Sequence, residues 1–143
     1  MSDHAYDKYA GAEPYFAMVR KALGDLVEGK HFFDVVAEDI AYEVRYDLGW
    51  PRVIQGRTTL MEQFEGYVCS IKLKSADNLI VHRADGGRVV TIEYDIHGTI
   101  LATGVEYKNR FCSVIELENK KIKHWRDYMD SLAAWKALTA KGK

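Results

Sequence analysis

Cysteine and proline are scarce in this sequence, with two of each among 143 residues. The cysteines, Cys69 and Cys112, stand far apart and form no C-x-x-C pair. That excludes a disulfide-built scaffold and a zinc ribbon, and it fits reduced thiols in the cytoplasm. Only Pro14 and Pro51 interrupt the chain, and no stretch is low in complexity, so it reads as folded nearly throughout. An excess of either charge is missing too: 20 Lys and Arg face 21 Asp and Glu, for a net charge of −1. Such a balance gives no electrostatic footprint for nucleic acid or for an anionic membrane. No apolar run nears the roughly 20 residues that a membrane-spanning helix needs. The opening MSDHAYDKYAGAEPYF lacks a basic start followed by an apolar stretch, so no secretory leader is expected. Neither GxGxxG nor GxxxxGK occurs, and the five histidines show no HExxH or paired His/Cys spacing. No metal and no organic cofactor are therefore expected.

What is present suffices for one core. Hydrophobic residues make up 48% and aromatics 12%. Residues 1–12 are polar around Tyr6 and Tyr9 and read as a flexible arm, leaving 13–143 as a single domain. From Pro14, which suits a first helical turn, apolar side chains recur at Tyr15, Phe16, Met18, Val19, Ala22, Leu23, Leu26 and Val27. That 3.6-residue stripe predicts an amphipathic helix stopped by Gly29. Residues 31–37 suit a short second helix. Over 39–47, Ile40, Tyr42, Val44 and Tyr46 alternate with polar residues, as in a half-buried strand. Thr59 and Glu62 predict a capping box for a third helix carrying Leu60, Phe64, Tyr67, Val68 and Ile71. A short strand near 79–83, a turn at Asp85-Gly86-Gly87, strands over 89–98 and 105–117, a tight turn at Glu118-Asn119-Lys120 and a strand over 122–129 follow. Asp130 or Ser131 caps a last helix with Leu132, Trp135 and Leu138 on one side. Segregated helices and an antiparallel meander predict an α+β fold, with helices on one face of a curved sheet.

The last strand is the most informative stretch. Trp125, Asp127 and Met129 share one side, and His124, Arg126 and Tyr128 share the other. The first set is the more apolar, so Asp127 is expected inside, where loss of water raises the pKa of an unpaired carboxyl group. On the strand before it, Tyr107, Asn109, Phe111, Ser113 and Ile115 are assigned inward. On the strand from Val89, hydrophobicity alone turns Val90, Ile92, Tyr94 and Ile96 inward, and Thr91, Glu93, Asp95 and His97 outward.

Three stretches give the chain a family likeness: AEDIAYEV, PRVIQGRTTLMEQF and NRFCSVIELENKKIKHWRDYMD. Through them it resembles the SnoaL-like polyketide cyclase and ketosteroid isomerase-like branch of the nuclear-transport-factor-2-like superfamily. The resemblance implies a cone-shaped barrel of a curved, mostly antiparallel sheet wrapped by N-terminal helices around a deep apolar pocket. It also implies a homodimer through the outer sheet face. That contact would bury Val90, Ile92 and Tyr94 under the partner and turn Thr91, Glu93, Asp95 and His97 toward the pocket, against the alternation. WRDYMD resembles a strand of limonene epoxide hydrolase, in which the residue matching Asp127 is a catalytic acid. The second aspartate of that enzyme matches Asp95, but its arginine matches Glu93. Phenazine-biosynthesis A/B proteins are similar in IEYDIHGTI, yet their histidine and serine match Gln63 and Tyr67. Their acidic residue on the last strand matches Asp127, as does the single acid/base aspartate of polyketide cyclases of this branch, so Asp127 alone matches in all three comparisons.

The resemblance therefore implies Asp127 as general acid/base with Asp95 assisting. Tyr42, Tyr46, Trp50, Phe64, Tyr67, Phe111, Trp125 and Met129 are candidates to line the pocket. Asn109 is a candidate orienting donor and His97 a candidate proton relay. The expected ligand is a small apolar molecule, handled by isomerisation, cyclisation or dehydration. An epoxide hydrolase variant and a non-catalytic ligand-binding dimer stand as alternatives.

Overall fold

The computed structural model describes residues 5–142. Its elements in chain order are α1 (Glu13–Leu23), α2 (Phe32–Val35), β1 (Val36–Val44), β2 (Val53–Gln55), α3 (Arg57–Ser70), β3 (Ile71–Ala84), β4 (Val89–Ile100), β5 (Glu106–Glu118), β6 (Lys121–Met129) and α4 (Ser131–Thr139). The strands form one sheet in the order β2-β1-β6-β5-β4-β3. Neighbours are antiparallel except β1 and β6, which run parallel. The sheet is curved but does not close, so β2 and β3 remain free edges. The α+β cone is thus an open one.

The helical stripe of α1 is buried as expected, with Tyr15, Phe16, Met18, Val19, Ala22 and Leu23 all inside. Gly24, at φ 53° and ψ −127°, ends this helix before Gly29 is reached, because its positive φ leaves the helical conformation and suits glycine. α2 is a single turn. The His31 ring accepts from the Phe33 N–H at 3.1 Å, and the Asp34 carboxylate accepts from the His31 N–H at 3.0 Å. Thr59 and Glu62 form no capping box: α3 starts at Arg57, behind Gly56, and no side chain caps it. At α4 the Asp130 carboxylate does cap, accepting from the Ala133 N–H at 3.1 Å.

Two further readings are corrected. Residues 7–12, read as part of a flexible arm, form a 3-10 turn with Tyr9 and Ala12 buried. Tyr6 just before it stacks on His31 and donates to the Asp34 carboxylate at 2.7 Å. Aromatic contact with the core, invisible to a polarity count, holds this segment down. The rest of the proposed arm, residues 1–4, lies outside the described residues. Secondly, β3 is 14 residues long where a short strand was expected. Its register on β4 slips between Leu73 and Ser75 and between Asp77 and Ile80, with Asn78 at φ 55°. Bulges break the alternation by which a strand is recognised.

β4 settles the conflict between alternation and resemblance. Val90, Ile92, Tyr94 and Ile96 are buried on the inner face, and Glu93 is exposed. The apolar contact face offered for a homodimer is therefore part of the core, and Thr91, Glu93, Asp95 and His97 lie on the outer side.

β3 and β4 come close at one point. Gly98 of β4 lies opposite Leu73 of β3, and a Cβ on Gly98 would sit 2.7 Å from the Lys72 carbonyl oxygen. That oxygen is backbone and cannot swing away. Gly98→Ala should destabilise the fold by about 1–3 kcal/mol, read as a lower denaturation midpoint with an unchanged denaturant slope. An unchanged midpoint would show that the β3–β4 pair takes up a Cβ at this position without strain.

Candidate active site

Strand register brings the central group together. Asp127 on β6 lies opposite Ser113 on β5, which lies opposite Ile92 on β4, next but one to Tyr94. The Ser113 hydroxyl donates to Asp127 Oδ1 at 2.7 Å. Having spent its only proton there, Ser113 Oγ accepts from the Tyr94 hydroxyl at 2.9 Å. Trp125, two residues before Asp127 and so on the same face, donates its Nε1–H to the same Oδ1 at 2.9 Å. Both of these donors meet Oδ1 and neither reaches Oδ2. Three strands thus converge on one carboxyl group that is only 3% exposed.

Burial and hydrogen bonding act on this group in opposite directions. Loss of water raises the Asp127 pKa, and the donors Trp125, Ser113 and Tyr42 pull it down. Burial prevails, and the pKa stands at about 6. The carboxylate in turn acts on its neighbours. Burial first, and the negative charge of Asp127 second, raise Tyr15, Tyr42 and Tyr94 well above the ordinary tyrosine value. These hydroxyls keep their protons and serve as donors.

Asp127 lies at a cavity of about 310 Å³, at the small end of the range for ligand sites. Six tyrosines line it: Tyr15, Tyr42, Tyr46, Tyr67, Tyr94 and Tyr107. Leu48, Trp50, Phe64, Ile71, Leu73, Ile96, Phe111, Met129, Ala134 and Leu138 add apolar wall, and Gln63, Gly66 and Ser70 come from α3. Among the described residues, Asp127 is the only charged side chain of this lining. The Tyr15 hydroxyl is buried and makes no hydrogen bond of ordinary geometry, although Tyr42 is its polar neighbour. An unsatisfied buried donor is costly, so this hydroxyl is a ready partner for a ligand oxygen.

Several sequence-based candidates meet here: Tyr42, Tyr46, Trp50, Phe64, Tyr67, Phe111 and Met129 all line the cavity with Asp127. Others do not. Trp125 is fully buried behind the wall, stacked on Tyr42 at 5.6 Å, and reaches the site only through its hydrogen bond to Asp127. Asn109 is buried outside the lining with its amide already committed. Its Nδ2 donates to the Tyr107 hydroxyl at 2.7 Å, and its Oδ1 accepts from the Arg110 and Asp130 N–H groups. Asp95 and His97 are corrected: both lie on the outer face of β4, on the opposite side from Tyr94 and Ile96. Asp95 accepts from Asn78 Nδ2 at 2.7 Å instead. The apolar members of this strand won the inner face, as burial energetics requires.

Tyr15, Tyr94 and Gln63 were missed as lining residues. Tyr15 belongs to the α1 stripe, and a stripe that faces a cavity carries the same periodicity as one that faces a core. Tyr94 lies on the face of β4 that the resemblance turns away from the pocket. Among the described residues, no three His, Cys, Asp or Glu side chains group as a set able to hold a metal ion.

Residues 9–125 match the SnoaL-like domain. The chain belongs to this family, within the nuclear-transport-factor-2-like superfamily. It is 27% identical over 123 residues to the uncharacterized protein YesE of Bacillus subtilis, covering 84% of each chain. Among solved structures it is similar to a Bacillus subtilis protein provisionally named an isomerase. That match has a TM-score of 0.73 and 24% identity over 96% of both chains. It is also similar to a phenazine biosynthesis-related protein of Pseudomonas aeruginosa, with a TM-score of 0.67 and 25% identity. That match covers 97% of this chain and 86% of the other. The SnoaL-like fold is one that small-molecule enzymes use.

The raised pKa of Asp127 carries a stability cost. Below about pH 4 the group is protonated whether the chain is folded or not. Between about pH 4 and 6 the folded state holds the proton longer, so stability drains as pH rises, and above pH 6 the full cost applies. Asp127→Asn keeps an acceptor for Ser113 and Trp125 and removes the charge. It should be more stable than the parent by about 2–3 kcal/mol at pH 8, with the difference vanishing toward pH 4. Chemical denaturation at both pH values measures it. A gain of equal size at both would contradict the buried-charge assignment.

Proposed function

We propose that this chain is an enzyme that moves protons on a small, mostly apolar molecule bearing a carbonyl or hydroxyl oxygen. Asp127 is its general acid/base. The carrying observation is a carboxyl group with a pKa of about 6, held by fixed donors at a cavity walled by aromatic side chains. Near pH 7 such a group is mostly ionised and acts as a base of raised strength. It takes a proton from carbon next to a carbonyl. The C–H electron pair moves into a carbon–carbon double bond, and negative charge gathers on the oxygen. The Tyr15 hydroxyl, protonated and making no hydrogen bond of ordinary geometry, donates to that oxygen. Protonated Asp127 then returns the proton at another carbon, completing an isomerisation. Attack of the enolate on a second carbonyl, or loss of water, gives a cyclisation or a dehydration. The provisional isomerase and the phenazine-related protein are relatives whose names fit small-molecule chemistry. Epoxide hydrolysis by a carboxylate pair is disfavoured, because Asp95 lies on the far side of β4 and cannot join Asp127.

The proposal extends to a cytoplasmic homodimer. Free Cys69 and Cys112 support the compartment, and the family resemblance supports the dimer, with a contact formed by residues other than the core-buried Val90, Ile92 and Tyr94.

Deuterium wash-in from D₂O tests the chemistry, with cyclic β,γ-unsaturated ketones followed by proton NMR. The exchange rate should rise through about pH 6 and level off above it. Asp127→Asn should lower the plateau rate at least about 10²-fold, and Tyr15→Phe about 10-fold or more. Exchange that survives Asp127→Asn undiminished would sink the assignment. Tight ketone binding without exchange in the parent would favour a ligand-binding module.

A further inference from the structure

Position 66 stands at the rim of the cavity. On α3, Gln63, Gly66, Tyr67 and Ser70 recur at helical spacing and face the cavity. Of these, Gly66 and Ser70 are solvent-exposed, as is Leu138 on α4 across the opening. Phe64 of α3 and Tyr15, Tyr42 and Tyr94 are buried at the inner end with Asp127. The cavity therefore opens to solvent between α3 and α4, with Gly66 on its edge.

A glycine ten residues into a fourteen-residue helix is an unfavourable choice, since glycine weakens a helix interior relative to alanine. The usual reasons for keeping one are missing here. Gly66 is not among the residues of positive φ, and beyond its chain neighbours and its own helix backbone no atom lies within 4 Å of where its Cβ would stand. Gly98, by contrast, meets a backbone oxygen at 2.7 Å. What the missing side chain at 66 provides is open space at the entrance.

We infer that Gly66 keeps the portal of the Asp127 cavity open and sets the size of molecule that enters. This rests on the proposed reading of the cavity as a ligand site. A side chain here would obstruct passage without touching the inner end of the cavity. It should therefore slow entry and exit together and leave the binding equilibrium nearly unchanged, which a loss of packing or of ligand contacts would not do.

The test uses the full chain and two neutral probes, N-phenyl-1-naphthylamine as the bulky one and phenol as the small one. The parent should bind both. Gly66→Ala should raise Tm by on the order of 3 °C. In Gly66→Leu, stopped-flow fluorescence should show kon and koff for N-phenyl-1-naphthylamine both falling about tenfold or more. Its Kd should stay within about threefold, and phenol binding by calorimetry should not change. Glu62→Leu, exposed on the same helix but off the lining, should leave all rates as in the parent. Parent-like rates in Gly66→Leu would overturn the portal assignment while leaving the ligand site standing. So would a change in koff alone, or a Gly66→Ala variant less stable than the parent. Failure of the parent to bind either probe would overturn both.

Discussion

A single carboxyl group withdrawn from water, and the donors that keep it there, organise this molecule. Asp127 loses hydration on the inner face of β6 and recovers only part of that loss from Ser113 and Trp125. The balance is neither full compensation, which would leave an ordinary carboxylate, nor full desolvation, which would leave a permanently neutral acid. Sheet geometry sets the balance. The two-residue strand repeat puts Trp125 on the face of Asp127, and the β5–β6 register puts Ser113 directly opposite. Tyr94, one strand further, holds Ser113 from behind. A slip of one residue in the β5–β6 pairing would carry the carboxyl group to the solvent side and end the arrangement.

The remainder of the fold supplies the low-polarity surroundings this group needs. The curved sheet leaves a hollow that α1 and α3 cover without filling, and tyrosines take up much of its wall. Tyrosine suits that position, since its ring excludes water while its hydroxyl stays available for hydrogen bonds. Asn109 illustrates how polar atoms are kept from competing. Its amide is committed to the Tyr107 hydroxyl and to two backbone N–H groups, so it steadies Tyr107 and leaves the cavity itself to tyrosine and Asp127. Buried ionisable groups in fully functional hollows commonly cost stability, a trade made where chemistry needs a perturbed proton affinity.

Much of this is legible in the sequence alone. Alternation placed Trp125, Asp127 and Met129 inward, and Tyr107, Phe111 and Ser113 with them, and all of these assignments hold. The tight turn after Glu118 is likewise seen, with Asn119 and Lys120 both at positive φ. What escaped notice has physical causes. β3 hides because its bulges interrupt the two-residue period around Asp77 and Asn78. The N-terminal turn hides because Tyr6 and Tyr9 bind by ring contact among polar neighbours. On β4 the alternation of Val90, Ile92, Tyr94 and Ile96 pointed the right way, and likeness to relatives turned the strand over. Burial of four apolar side chains outweighs any argument from a matching aspartate. On α4, Leu132, Trp135 and Leu138 do share a side, but that side is exposed and the alanines pack. Small residues let the helix lie close to β5, which a scale that ranks residues by apolarity does not foresee.

Membership of the SnoaL-like family accounts for the architecture, and the carboxyl group's surroundings account for what the architecture can do. The most direct measurement is therefore of that group itself. Carbon-13 NMR on protein labelled at the aspartate carboxyl carbons, titrated from pH 3 to 9, follows Asp127 once Asp127→Asn identifies its signal. The Asp127 signal should titrate with a midpoint near 6. A midpoint in the ordinary range near 4 would contradict it.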